Sequence, residues 1–161
     1  WRVAIRNHVT RQRPMLGICV GMQWLFDGST EAPDHPGLKL LPGLCRRLTS
    51  KPDALEPKVD ETATSTVQNR PIHFKVPHVG WNSLHLTRRS WLLDEVDEGD
   101  QVYFTHSYAA PVTKNCVGAT TYGIKFAAAV ERGEVGGVQF HPEKSSDVGL
   151  RILSNFLKRM S

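Results

Sequence analysis

The sequence predicts a single α/β domain, and three observations support that prediction. A short apolar run over residues 15–18 leads directly into the helical stretch 20–26, a strand-turn-helix unit typical of α/β folds. Several short β-prone segments follow, and the chain closes on a helix-period apolar stripe. A length of 161 residues suits one domain with a continuous core, so residues 1–161 are assigned to one domain.

The elements follow from local patterns along the chain. Apolar residues spaced on one helix face predict a helix over residues 1–10, which Pro14 ends. The last helix is predicted from its 3.6-residue stripe, with Ser146 or Asp147 as its cap. A short helix is expected over residues 90–96. The predicted strands, besides residues 15–18, are 75–79, 101–108, 116–122, 125–130 and 137–140.

Residues 49–70 differ in composition from the rest of the chain. Lysine, proline, acidic residues, serine and threonine dominate there, and the apolar period is lost. This stretch is therefore predicted to be a surface loop insertion.

Composition and charge exclude several classes of protein. The chain is 40% apolar and 22% charged, as in ordinary globular domains, and no apolar run approaches the ~18 residues of a membrane span. No membrane partner and a cytoplasmic location are expected. The three cysteines are far apart, which indicates neither a disulfide framework nor a metal site. The net charge of +4 comes from scattered basic residues without stacking aromatics between them, which argues against nucleic-acid binding.

The first motif that carries chemistry surrounds Cys19. Its pattern, G-x-C-x-G, is that of a nucleophile elbow, in which a strand turns sharply into a helix and exposes the central side chain. Gly17 and Gly21 are expected to relieve crowding in that turn, and the helix N-terminus is expected to favour the thiolate. A lone cysteine is also often a buried packing residue, so the motif alone leaves both interpretations open.

The second motif is GVQFHPEKS, in which an apolar strand leads to His141 and Glu143 follows two residues later. In an extended segment the two side chains point to the same side. A carboxylate beside an imidazole would hold its tautomer and stabilise the imidazolium that forms when a thiol proton is taken. The alternative is a solvated histidine and glutamate at a strand end.

Three further runs accompany these motifs: VPHVGWN, FTHSYAAP and TTYGIKFAAAV. Together with LGICVGMQWLF and GVQFHPEKSSDVGLRILSNF, they resemble the class-I, triad-type glutamine amidotransferases. The matches run from about Pro14 to Lys158, and within that family they are most similar to the glutaminase subunits of imidazole glycerol phosphate synthase. The resemblance implies a flavodoxin-like mixed sheet flanked by helices, here without the family's N-terminal strands.

The resemblance also implies roles for the residues of both motifs. Cys19 would be the nucleophile, His141 the general acid and base, and Glu143 its orienting partner. The backbone N–H of Val20 would stabilise the oxyanion. The implied activity is hydrolysis of L-glutamine to glutamate and ammonia, with no cofactor and no metal.

Substrate and partner residues are implied in the same way. Gln23, Ser107 and Tyr108 would help to bind glutamine. Trp81 and Lys144 would face a (β/α)8 cyclase, which receives the ammonia in a heterodimer that serves histidine biosynthesis. From the residues alone, Gln23 could equally be a surface amide and Trp81 a core aromatic.

Two alternatives accompany this interpretation. The chain could serve another synthase, for GMP, anthranilate or carbamoyl phosphate, or it could be a catalytically incompetent fragment that docks on a partner. The second arises because the family's N-terminal third, with a glycine loop that completes the oxyanion hole, is expected to be absent here. Since loss of one oxyanion donor costs about 10²- to 10³-fold in rate, this chain alone is expected to be a poor glutaminase.

Overall fold

The computed structural model describes residues 1–49 and 74–160. Apart from Thr49, the predicted insertion at residues 49–70 lies outside the described residues. Those described form three α-helices and ten strands, which in chain order are α1 (Arg2–Thr10), β1 (Met15–Ile18), α2 (Val20–Gln23), β2 (Gly28–Ser29), β3 (Leu44–Arg47), β4 (His78–Ser83), β5 (His85–Leu86), β6 (Gln101–His106), β7 (Tyr108–Ala109), β8 (Cys116–Tyr122), β9 (Ile124–Arg132), β10 (Val135–Val138) and α3 (Ser146–Arg159).

The largest sheet is mixed and has the strand order β1-β10-β9-β8-β5. Its first pair, β1 and β10, is parallel with Ile18 opposite Val138, and its other pairs are antiparallel. Two smaller sheets, β2-β3-β7 and β4-β6, accompany it. This arrangement confirms the predicted α/β class. Because β1 and β10 end side by side, the residues that follow them emerge at the same edge of the sheet.

Two apolar clusters hold these elements together. In the first, Phe104, Phe126, Phe140 and Ile152 are fully buried, so the last helix packs against the sheet through its central turn. The second cluster lies around the segment that follows β1 and includes Met22 with the residues after it. The strand that leads to Cys19 is therefore anchored by burial on both sides of the turn.

The helix predicted over residues 20–26 is shorter than expected and ends at Gln23. The carbonyl of Trp24 accepts a hydrogen bond from the Leu38 N–H at 2.7 Å, and the next two carbonyls also accept from the segment that begins there. The N–H groups of Leu25 and Phe26 bond only three residues back, and the Asp27 N–H bonds to the Gly43 carbonyl at 3.0 Å. The helical ladder therefore ends here, because its last groups bond to a segment that local periodicity cannot reveal.

The helix predicted over residues 90–96 is absent, and turns occupy that stretch. The Leu92 N–H bonds to the Ser90 hydroxyl, and the Leu92 carbonyl accepts from the Asn155 amide. Glu95 has a positive φ of 58°. Hydrogen bonds from side chains take the place of the i→i−4 backbone hydrogen bonds of a helix here. Serine and asparagine side chains often bond to the backbone in this way outside helices.

The remaining elements agree with prediction to within a few residues. The strand expected at 75–79 is β4 (His78–Ser83), because Pro77 cannot donate to a ladder. The strand expected at 101–108 is interrupted at Ser107, and the one expected at 137–140 lies two residues earlier as β10. Within the described part of the chain, no helix has the length and apolar content needed to cross a membrane.

Candidate active site

Cys19 lies in the sharp turn between β1 and α2 and is partly exposed. Its backbone has φ 51° and ψ −111°, a conformation that non-glycine residues rarely adopt and that marks stored strain. The Cys19 N–H donates to the carbonyl of Val138 at 2.8 Å, so the parallel partner strand holds the turn in place. The geometry is that of the predicted nucleophile elbow.

The two glycines of the motif are not equivalent. A Cβ added at Gly17 would lie 2.6 Å from the carbonyl oxygen of Gly21, which confirms that the turn needs a glycine there. A Cβ at Gly21 would meet no described atom within 4 Å. The expectation that Gly21 also relieves crowding was therefore wrong, because its Cα faces open space.

These contacts predict opposite outcomes for two alanine substitutions. Gly17→Ala is expected to lower the free energy of unfolding by about 1–3 kcal/mol, because backbone atoms must shift to admit the methyl group. Gly21→Ala, the matched control, should leave it almost unchanged. Urea denaturation of both variants measures the difference, and equal stabilities would contradict the close approach at Gly17.

The electrostatics around the Cys19 sulfur differ from the sequence-based expectation. Burial raises the pKa of the Cys19 thiol above its usual 9.0, while hydrogen bonds from the Val20 N–H and the Gln139 amide lower it. The carboxylates of Glu143 and Glu31 raise it further. The Val20 N–H at the start of α2 favours the thiolate, as expected of the helix end, but desolvation outweighs it and the net pKa of the thiol is raised. At neutral pH the sulfur carries a proton that a base must remove.

His141 and Glu143 form the hydrogen-bonded pair that the motif predicted. The Nδ1 of His141 lies 2.7 Å from Oε1 of Glu143. The two are brought together by a 3-10 turn over Pro142–Lys144 rather than by the extended segment expected. The Ser145 hydroxyl donates to the His141 carbonyl at 2.7 Å, which holds the start of that turn.

This pairing fixes the protonation pattern of the imidazole. With Nδ1–H donating to the carboxylate, the free Nε2 of neutral His141 can accept a proton. Desolvation acts to raise the pKa of Glu143, but the hydrogen bond and the charge of His141 outweigh it and lower that pKa. Glu143 is therefore ionised at neutral pH and stabilises an imidazolium.

Gln23 is buried beneath this site and is not the surface amide that the sequence left open. Its Nε2 donates to the carbonyl of Tyr108 at 2.8 Å and to Oε1 of Gln139 at 3.0 Å. Ser107 and Tyr108 are both half-buried, at the break between β6 and β7. The backbone of Tyr108 thus adjoins Gln23, while the structure gives the Ser107 side chain no direct link to the sulfur.

A small cavity of about 110 Å³ opens beside the elbow, lined among others by Val20, Gln23, Glu31 and His35. Sequence reasoning missed Glu31, whose carboxylate acts on the Cys19 sulfur through space. Its only signal was an acidic side chain shortly after the elbow, in a stretch with no motif of its own. The cavity therefore combines a carboxamide and a carboxylate beside the start of α2, the helix that Cys19 precedes.

A pair of buried histidines was also missed. His78 and His106 face each other across β4 and β6, with Nδ1 of His78 3.0 Å from Nε2 of His106. The Nδ1 of His106 lies 2.9 Å from the Tyr108 carbonyl, which can only accept. The pair therefore has one donor order, in which His78 Nδ1–H donates to His106 Nε2. The sequence showed only two histidines on separate β segments.

Burial lowers the pKa of both His78 and His106 to about 4. The charge of His106 lowers the pKa of His78 further, and the charge of His141 does the same for His106. As the pH falls below about 6.5, the unfolded chain takes up protons that the folded chain still refuses, so stability is lost progressively towards pH 4. We expect the free energy of unfolding, measured by urea denaturation, to fall over that interval. In His106→Gln the fall should be shallower, whereas exposed His35→Gln should keep the original slope. Identical slopes in all three proteins would contradict the pair's role.

Trp81 and Lys144 lie together on the surface. Trp81 is 52% exposed. It is therefore not a core aromatic, which was the alternative that the sequence left open. The Tyr103 ring lies between the two, 5.9 Å from the Trp81 ring and 5.9 Å from Lys144 Nζ. Among the described residues, no group of three or more histidine, cysteine, aspartate or glutamate side chains is placed to hold a metal ion.

Known proteins resemble this chain closely. It matches the family described as Glutamine amidotransferase class-I over residues 2–160. It is 46% identical over 147 residues to the imidazole glycerol phosphate synthase subunit HisH of Xylella fastidiosa (strain 9a5c), covering 91% of this chain and 63% of that protein. The HisH subunit of Syntrophotalea carbinolica is 42% identical over 154 residues, covering 94% and 68%. This chain thus spans roughly two thirds of the length of these curated relatives.

A solved structure described as a glutamine amidotransferase shares the fold. It superposes with a TM-score of 0.59 at 18% sequence identity, covering 99% of this chain and 67% of its own. At that identity the likeness concerns the fold alone. Combined with the match over residues 2–160, it leads to one conclusion: the chain belongs to the class-I glutamine amidotransferase family.

Proposed function

We propose that this chain is a glutaminase, which hydrolyses L-glutamine to glutamate and ammonia with Cys19 as nucleophile. The observation that carries the proposal is the juxtaposition at the end of β1 and β10. There a strained, partly exposed cysteine follows β1, and the segment after the parallel neighbour β10 carries a histidine whose tautomer is fixed by the Glu143 carboxylate at 2.7 Å. The same carboxylate acts on the Cys19 sulfur through space. An acyl-transfer site needs these groups together: a nucleophile, a base and a residue that orients the base.

The proposed reaction proceeds in two halves. The Nε2 of His141 takes the thiol proton, and the Cys19 thiolate attacks the carboxamide carbon of glutamine. The Val20 N–H stabilises the oxyanion that forms. The intermediate collapses as the C–N bond breaks, and His141 returns the proton to the departing ammonia. Water, deprotonated by His141, then cleaves the glutamyl thioester and releases glutamate with the free thiol.

The cavity beside the elbow is the proposed site for the amino-acid end of the substrate. Glu31 would pair with the α-ammonium group of glutamine. Gln23 has its nitrogen committed to Tyr108 and Gln139, which leaves its carbonyl oxygen to accept from the substrate. Ser107 and Tyr108 remain predicted contacts at the neighbouring strand break.

We further propose that the ammonia passes to a (β/α)8 cyclase in a cytoplasmic imidazole glycerol phosphate synthase. Support comes from the two relatives, each named as the HisH subunit of that synthase. The exposed cluster of Trp81, Tyr103 and Lys144, with Val79 56% exposed beside it, is the proposed contact surface. Tryptophan and tyrosine are enriched in protein interfaces.

The test is glutamate release from glutamine, measured with and without a cyclase barrel and its phosphorylated ribulose ligand. Turnover that rises on addition of both is the expected result. Turnover that rises instead with another synthase, or no turnover with the barrel bound, would contradict the proposed assignment. The variant Trp81→Ala is expected to weaken barrel binding. Trp1→Ala, which removes a 65% exposed tryptophan that contacts Trp24 instead of this cluster, should leave it unchanged.

A further inference from the structure

Gln139 is the first residue after β10 and is fully buried, at 0% exposure. Its backbone N–H donates to the Ala128 carbonyl at 2.8 Å, so the main chain is fixed by β9. Its side-chain Nε2 lies 3.7 Å from the sulfur of Cys19. Burial of an amide is unfavourable unless its polar groups form hydrogen bonds. The bonds of the buried Gln139 side chain therefore need an explanation.

The direction of this amide is set by its neighbours. The Nε2 of Gln23 can only donate, and one of its bonds goes to Oε1 of Gln139 at 3.0 Å. The other goes to the Tyr108 carbonyl at 2.8 Å, which ties Gln23 to β7. Reversal of the Gln139 amide would place two nitrogens against each other and an oxygen against the sulfur. The Nε2–H of Gln139 is therefore held towards Cys19.

We propose that Gln139 is a positioning residue for the nucleophile, which orients the Cys19 sulfur and stabilises its thiolate through a directed N–H, with Gln23 holding that amide in place. The proposal deepens the proposed function, since it rests on thiolate attack as the chemistry of the site. A donor that points at an anion is favourable, whereas the same donor beside a neutral thiol gains little.

The other groups that face the sulfur set the background for this effect. The Thr105 carbonyl lies 3.9 Å from Sγ and can only accept from the thiol. The carboxylates of Glu143 and Glu31 disfavour the thiolate, as does burial, while the Val20 N–H favours it. His141 is hydrogen-bonded to Glu143, one of these two carboxylates. The Gln139 amide is thus one of two donors that oppose burial and two negative charges.

The experiment is the pH profile of Cys19 alkylation by iodoacetamide in the full chain, followed on the Cys19 peptide by mass spectrometry. In Gln139→Met the midpoint is expected to move up by about one pH unit, so that the rate below the midpoint falls about tenfold. The rate at the high-pH plateau should be retained. Gln101→Met, an exposed glutamine on β6, is the matched control and should reproduce the original profile.

Two further variants keep the test decisive if the methionine variant folds poorly. Gln139→Glu preserves shape and the acceptor for Gln23 but replaces the donor with a carboxyl oxygen, so the midpoint should rise at least as far. Gln23→Met leaves the donor present but free to turn, so a smaller rise is expected.

An unmoved midpoint in both Gln139 variants would overturn the proposal, as would a loss of rate that is uniform across the pH range, which indicates a structural role. Because alkylation requires no glutamine, the result is independent of the glutaminase assay. A protein without glutamine turnover but with these shifts would contradict the proposed function alone.

Discussion

Cys19→Ser is expected to reduce glutamine hydrolysis by about 10⁴-fold or more, to the background of the assay. A serine hydroxyl ionises far less readily than a thiol, and the burial that already raises the pKa of Cys19 would disfavour an alkoxide still more. Glutamate release measured under saturating glutamine is the readout. Binding to the cyclase barrel should be unaffected, because the substitution exchanges one sulfur atom for oxygen and leaves Trp81, Tyr103 and Lys144 unchanged.

The matched control for this substitution is Cys116→Ser. Cys116 is a buried cysteine of β8 whose sulfur donates to the Gly118 carbonyl at 3.2 Å, a bond that a hydroxyl can also make. Activity should persist there within a small factor. Ammonia release retained in Cys19→Ser would remove Cys19 from the mechanism.

His141→Ala should reduce turnover by about 10⁶-fold, and Glu143→Gln by less, about 10⁴-fold. The first change removes the group that carries the proton. The second removes a charge from a half-exposed side chain but leaves an amide oxygen that can still accept from Nδ1–H of His141. The comparison is made on kcat at a fixed pH near neutrality.

Glu98→Gln provides a control for loss of a carboxylate that pairs with a histidine. Glu98 contacts His85 at 2.7 Å on the surface, in a pair built like that of His141 but with no part in the proposed chemistry. No loss of turnover is expected. Equal losses in His141→Ala and Glu143→Gln would indicate that the two residues act as one inseparable unit.

Local patterns in the sequence were sufficient where neighbouring residues decide the conformation. The strand at residues 15–18, the helix at the start of the chain and the strand at residues 116–122 follow directly from apolar spacing, and the structure has them as β1, α1 and β8. The family was also evident from G-x-C-x-G and the His-Pro-Glu run. The strand-turn-helix geometry at Cys19 could also be predicted, because it depends on a few adjacent residues that include the glycine at position 17.

Only the tertiary structure decided what depends on distant segments. Residues 90–96 are not helical because Asn155 and Ser90 take their backbone groups, and the pKa of Cys19 rises because packing desolvates its sulfur. Likewise, the direction of the Gln139 amide depends on Gln23, more than a hundred residues away in the chain. The sequence by itself determined the family and the fold class, and it predicted the residues that we propose for the chemistry, since these follow from local motifs. Burial, hydrogen-bond direction and proton affinity arise from long-range contacts, which no local pattern records.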